Sequence, residues 1–187
     1  MGIVIDPATL TESGERCLHR LTELGELDLP AAQLITAIGT AVEVHVSRML
    51  ARLIVLSGVQ ENDLGNAMLD HLEQDMNKSW QSRGAWLKDG FGVEYMGAKA
   101  YQEFDMLVEL RNAVVHGDGA ASDQQERKGI AALQRLRSAF AKLLDVDFRG
   151  RASFGAQTPL KAMAIARSFV ADFDRTILAL YPAARRL

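Results

Sequence analysis

The sequence lacks most features that mark secreted, membrane-spanning or metal-binding proteins. Its single cysteine, Cys17, excludes an internal disulfide and a cysteine-rich metal site. No uninterrupted apolar run approaches the roughly 20 residues needed to span a bilayer. The first residues carry no basic segment of the kind that begins a secretory signal. We therefore expect an intracellular, soluble protein with the cytoplasm as its compartment and no membrane partner.

Several motifs that would indicate other functions are also missing. The chain has no glycine-rich phosphate-binding loop, no arrangement of Ser, His and Asp that indicates a catalytic triad, and no basic helix-turn-helix. His19 and His71 lie in different predicted helices without neighbouring ligands at metal spacing. The sequence therefore predicts neither a metal nor another cofactor.

A convincing alternating strand pattern is absent, and helix signals dominate the chain. Its 187 residues, 48% of them hydrophobic, suffice for one domain with a substantial core. The apolar spacing and the capping residues predict helices at approximately residues 7–25, 30–57, 62–88, 98–116, 122–143 and 158–181. We predict an all-α bundle of about six helices that forms a single domain over residues 1–187.

The charges are unevenly distributed along the chain. The net charge of −3 argues against indiscriminate nucleic-acid binding. Residues 1–125, however, carry 9 Lys or Arg and 19 Asp or Glu, whereas residues 126–187 carry 12 and 5. The basic C-terminal third either attracts phosphates over a Debye length of roughly 10 Å or consists of ordinary solvated helix faces.

One residue interrupts the apolar face of the predicted helix 98–116. On a wheel of about 100° per residue, a broad apolar arc is formed by Ala100, Phe104, Leu107, Val108, Leu110, Val114 and Val115. Arg111 falls in the middle of this arc, where a charge is costly unless it is paired or borders a cleft. His116 precedes Gly117 at the helix end, where exposed carbonyls favour the imidazolium form. Arg111 is either a buried ion pair, a snorkelling side chain or a site residue, and His116 is either a capping residue or a site residue.

Arg111-Asn112, three further residues and then His116-Gly117 resemble the signature of the HEPN superfamily, in which a histidine follows an arginine and a polar residue after a short spacer. The surrounding "LRNAVVHG", late in a long helix of an all-helical chain, is similar to many HEPN members. The resemblance implies a HEPN-like helical bundle and a metal-independent endoribonuclease, acting in toxin–antitoxin, phage-defence or RNA-processing roles. It also implies that RNA is the substrate, that two copies line a cleft at a dimer interface, and that an antitoxin protein is a possible partner.

The three motif residues suit RNA cleavage through the 2′-hydroxyl. His116 is predicted to be a general acid or base, and Arg111 to clamp the phosphate and stabilise its developing charge. Asn112 is predicted to orient the histidine or the substrate. Five positions correspond to about 140° around an ideal helix, so Arg111 and His116 do not point the same way. Either the helix loosens before Gly117, or a symmetry mate in a homodimer completes the site.

Further polar residues are weaker candidates for substrate binding. His45, Arg48 and Arg52 follow helical spacing and predict a stripe that either holds RNA backbone or forms a solvated face or ion-pair ladder. Glu109 shares a helix face with His116, which suggests an interaction between them through Asn112.

Two other functions compete with the ribonuclease hypothesis. A non-catalytic HEPN-like bundle that binds a partner protein or a nucleotide would suit the acidic N-terminal two-thirds. An unrelated helical scaffold would hold Arg111 in a buried salt bridge.

Overall fold

The chain is all-α, as the sequence predicts. The computed structural model describes residues 5–186, apart from the side chains of residues 72–75 and 77. In that part of the chain the eight α-helices are α1 Glu12–Glu26, α2 Ala31–Leu56, α3 Asp63–Asn77, α4 Trp80–Ala85, α5 Lys99–His116, α6 Asp123–Arg127, α7 Ile130–Ala139 and α8 Thr158–Leu180. The one described sheet pairs two short strands, β1 Val146–Asp147 and β2 Ser153–Phe154, in antiparallel register.

The predicted third and fifth helices are each divided in two, which gives eight α-helices in the described chain where about six were predicted. Ser79 adopts an extended backbone and its hydroxyl accepts the N–H of Ser82, which caps α4 and separates it from α3. Gly129 has a φ of 86°, in the left-handed region that favours glycine, and it separates α6 from α7. Both breaks depend on residues that helices also tolerate, so periodicity did not reveal them.

Two other boundaries differ locally from the prediction. Asp6 is an N-cap as expected, but it caps a 3-10 turn, Pro7–Thr9. The helix α1 begins only at Glu12. The predicted loop after the fifth helix contains the β1–β2 hairpin. Two residues per strand are too few for an alternation pattern to be visible in the sequence.

The described residues form two compact units, each built from separate chain segments. The first unit comprises residues 5–19, 42–98 and 170–186, and the second comprises residues 20–41 and 99–169. The helices α1, α2 and α8 contribute residues to both units. The single-domain organisation stays a prediction.

Each unit has aromatic side chains in its core. In the first unit, the buried rings of Tyr95 and Phe173 meet edge to face, with centroids 5.1 Å apart. In the second unit, Phe104 of α5 and Phe169 of α8 stack at 4.5 Å. This stack fixes the face of α5 that turns toward the core.

Among the described helices, α2 is long and apolar enough to cross a membrane, judged by length and composition alone. Half of its most apolar 18-residue window is buried within the structure. The core helix of a soluble protein satisfies the same criterion, so the finding is weak evidence for a membrane span.

Candidate functional site

The helix that carries the Arg-Asn-His motif ends at His116, as predicted. The N–H groups of Gly117 and Gly119 both donate to the carbonyl of Ala113, at 3.0 Å each. A Cβ at Gly117 would lie 2.2 Å from the carbonyl oxygen of Ala120, so the turn admits glycine only. The chain reverses immediately after His116 because of this close approach.

Arg111 is half-buried on the core side of α5. Leu107 and Val108, one turn earlier, are buried. A Cβ placed on Gly39 of α2 would lie 3.5 Å from Cγ of Arg111, so the aliphatic part of the arginine packs over that glycine. The absence of a side chain at Gly39 leaves room for the arginine between the two helices.

The guanidinium of Arg111 makes few polar contacts with the described residues. Its Nη1 donates a long hydrogen bond of 3.4 Å to Oδ1 of Asn112. Within the described part of the chain it makes no ion pair. The buried salt bridge expected of an unrelated scaffold is therefore not present among these residues.

His116 is exposed at the last position of α5. The helix stays α-helical up to this residue, so it does not loosen in the way that would bring the ring toward Arg111. No hydrogen bond joins the two side chains among the residues that the structure describes. The offset of about 140° therefore holds in the structure.

Glu109 makes contacts within the fold. Its Oε2 accepts a hydrogen bond of 2.7 Å from Nε2 of Gln125, which also donates to the Glu109 carbonyl at 2.8 Å. Its Oε1 lies 2.6 Å from Nζ of Lys128. Gln125 also forms the predicted capping box of α6 with Ser122. Glu109 therefore holds α6 against α5, and the contacts between described residues include none that links it to His116 through Asn112.

The same face of α5 carries two groups with a raised pKa, Asp105 and Tyr101. Burial and, to a smaller extent, the nearby carboxylate of Glu109 raise the pKa of Asp105, and the ammonium of Lys128 opposes them. Burial and the carboxylate of Asp105 raise the pKa of Tyr101 to about 12. Desolvation is the larger cause in both cases, and it raises each pKa because it disfavours the charged form.

The predicted polar stripe of α2 is divided between surface and core. Arg48 is exposed, and Arg52 is half-buried with Nη2 donating to the carbonyl of Ala183 at 3.3 Å. His45 is 1% exposed and has no surface on which to hold RNA. All three belong to the first unit, whereas Arg111 and the rest of its motif belong to the second.

His45 belongs instead to a buried polar network that sequence reasoning missed. Its Nδ1 shares a hydrogen bond of 2.9 Å with Oγ of Ser13. Its Nε2 lies 3.0 Å from Oδ1 of Asp174, although the two are poorly aligned for a hydrogen bond. Ser13, His45 and Asp174 are each 1% exposed or less, so a substrate has no access to them.

Asp174 also stabilises the start of α1. Its Oδ2 accepts the N–H of Thr11 at 2.7 Å and the Thr11 hydroxyl at 3.0 Å. That hydroxyl in turn accepts the N–H of Gly14 in the first turn. A carboxylate at a helix N-terminus is favoured by the exposed N–H groups and the helix dipole. The triad-like set of side chains is therefore a structural network.

No protein-family model, curated protein or solved structure matches this chain. The likeness to the HEPN superfamily is carried by Arg111, Asn112 and His116 alone.

Proposed function

We propose that this protein is a HEPN-like, metal-independent endoribonuclease that cleaves RNA through the ribose 2′-hydroxyl. The observation that carries the proposal is the half-buried side chain of Arg111, whose guanidinium makes no ion pair among the described residues. A cation without an anionic partner can bond a phosphate without first giving up an ion pair. The exposed histidine at the end of the same helix supplies a group that can transfer protons.

The proposed reaction uses the three motif residues in distinct roles. The 2′-oxygen attacks the adjacent phosphorus, its proton is taken up, and the 5′-oxygen leaves with a proton. His116 serves as general acid or base in these transfers. Arg111 stabilises the charge on the phosphorane, and Asn112 positions the guanidinium through its 3.4 Å contact. The products are a 2′,3′-cyclic phosphate, or its hydrolysis product, and a 5′-hydroxyl.

A homodimer is part of the proposal, because one copy does not bring Arg111 and His116 together. A two-fold axis near the end of α5 would place the histidine of one copy beside the arginine of its partner. Light scattering should then give twice the monomer mass. A strict monomer at high concentration would contradict the composite site.

The cytoplasmic toxin or phage-defence role, with an antitoxin protein as regulator, is proposed on the same resemblance.

The central experiment incubates the purified protein with RNA in the presence of EDTA. Cleavage should persist, should leave a cyclic phosphate, and should fail where a 2′-deoxy sugar is placed at the cut. The His116→Ala variant should lose activity by roughly 10²-fold or more. His71→Ala is the matched control, since it removes an exposed histidine from another helix. RNA that is bound but not cut by the wild-type protein would instead favour the non-catalytic HEPN-like bundle.

A further inference from the structure

The β1–β2 hairpin is joined to the turn that follows His116. The N–H of Ala152 donates to the carbonyl of Gly119 at 2.7 Å. Arg151 forms an ion pair with Asp118, whose φ is 50°. The tip of the hairpin is therefore held at the end of α5.

A concavity of about 570 Å³ lies between this hairpin and the end of α7. Its lining includes Arg137, Arg149, Ser153 and the half-buried Phe154. Nη2 of Arg137 lies 3.5 Å from the carbonyl oxygen of Arg149, so the two cationic residues lie beside each other. The concavity thus combines two arginines with a hydroxyl and an aromatic ring.

The carboxylates that line the same concavity are engaged by neighbouring groups. Oδ2 of Asp145 accepts the N–H of Gln157 at 3.0 Å. Asp147 lies 3.4 Å from Nε of Arg149, whose side chain is 89% exposed. An exposed pair of this kind is weak, so a phosphate that bonds the guanidinium in bidentate fashion can replace it.

We propose that this concavity binds nucleotides of single-stranded RNA that flank the cut, with Arg137 and Arg149 on the backbone phosphates and a base stacked on Phe154. The inference rests on the proposed function, because it assigns the surface to the substrate of the same site. Stacking on one aromatic ring with arginines along the backbone is the usual manner of holding single strands without reading their sequence. The hydrogen bond from Ala152 to Gly119 keeps this surface beside the end of α5.

The test measures RNA binding separately from RNA cleavage. A fluorescent single-stranded RNA is titrated with the His116→Ala protein by anisotropy, at salt concentrations from about 50 to 200 mM. When Arg137→Ala and Arg149→Ala are introduced together into the His116→Ala protein, RNA binding should weaken by roughly tenfold or more. The two substitutions should also reduce the slope of log Kd against log salt by about 2, or about 1 per lost phosphate contact. Arg135→Ala, on the same helix and also exposed, is the matched control and should change neither quantity.

The outcomes distinguish this surface from the catalytic proposal. An unchanged Kd and salt slope in the double alanine variant would overturn the binding surface, as would the absence of any RNA binding by the His116→Ala protein. Arg137→Lys combined with Arg149→Lys keeps both charges and should therefore keep the salt slope; a loss of slope in this variant too would point to a folding defect and contradict the phosphate contacts. If the wild-type protein never cleaves RNA yet the alanine pair weakens binding, the ribonuclease proposal fails and the surface remains as a binding site.

Discussion

Nη1 of Arg111 lies 3.4 Å from Oδ1 of Asn112, the next residue on α5, and this is the polar contact that the structure gives the guanidinium. The side chain is partly buried, and no carboxylate of the described residues compensates its charge. Such an arrangement contributes little to folding, since the charge of the guanidinium gains no ion pair from it. It is suited to an anion that arrives from solution.

Replacing Arg111 should therefore separate stability from activity. Arg111→Met keeps an unbranched chain of similar reach and removes the charge. Thermal melts should show unfolding at the same or a higher temperature, with a gain of up to about 1 kcal/mol. RNA cleavage should fall by roughly 10²-fold or more. A large drop in the melting temperature with normal cleavage would identify a structural arginine.

The packing of Arg111 over Gly39 can be tested with two substitutions at the glycine. Gly39→Ala places a methyl group in ordinary contact, 3.5 Å from Cγ of the arginine. It should stabilise α2 by up to about 1 kcal/mol and preserve cleavage. Gly39→Leu needs the space that the arginine occupies and should reduce cleavage by roughly tenfold or more, because misplaced catalytic groups lose rate steeply. Equal cleavage by the two variants would contradict this arrangement.

The network around Asp174 should be a major source of stability. Asp174→Ala leaves the buried N–H and hydroxyl of Thr11 without their acceptor, and should cost about 3–5 kcal/mol in urea unfolding. Gly14→Ala should also destabilise, because its Cβ would lie 1.9 Å from Oδ2 of the aspartate. Gly25→Ala, on the same helix, is the control. Its Cβ would lie 3.6 Å from Cε of Met163, so it should be neutral or stabilising.

The raised pKa of Asp105 predicts a specific dependence of stability on pH. Because burial and Glu109 favour the protonated form in the folded state, folding stability is lost as pH rises from the ordinary value of 3.8 to the higher folded value, and is constant above it. Asp105→Asn should thus be more stable than the wild type at neutral pH. Urea unfolding at several pH values should show this difference closing below about pH 4. If the difference in unfolding free energy between Asp105→Asn and the wild type grew as the pH fell, the raised pKa of Asp105 would be contradicted.

The thiol of Cys17 should be unreactive in the folded protein. Burial and, to a smaller extent, the carboxylate of Asp174 raise its pKa to about 12, against the opposing effect of Arg48. At pH 8 the thiolate fraction is then on the order of 10⁻⁴, and the thiolate is the reactive form. Alkylation by iodoacetamide, followed by mass, should be very slow until urea unfolds the chain. Rapid modification of the native protein would show that the thiol is accessible.

The sequence predicted those elements whose signals are local. The capping box of Ser122 and Gln125 and the start of α8 at Thr158 follow from neighbouring residues, and both are observed. The break at Gly129 was missed because glycine also occurs within helices. The β1–β2 hairpin and its surface were missed for a different reason. Each strand has only two residues, which is too short for an alternation of apolar and polar residues to be recognised in the sequence.

The sequence by itself determined where α5 ends and which residues of the motif lie on it, because Gly117 donates its N–H to the carbonyl of Ala113 in the last turn of the same helix. Only the tertiary structure decided that His45 lies in the core between Ser13 and Asp174. The aspartate is 163 positions from Thr11, whose N–H it accepts, and no local signal links residues so far apart. Their meeting depends on how α1, α2 and α8 pack, since burial makes a polar group costly until a partner from another helix reaches it.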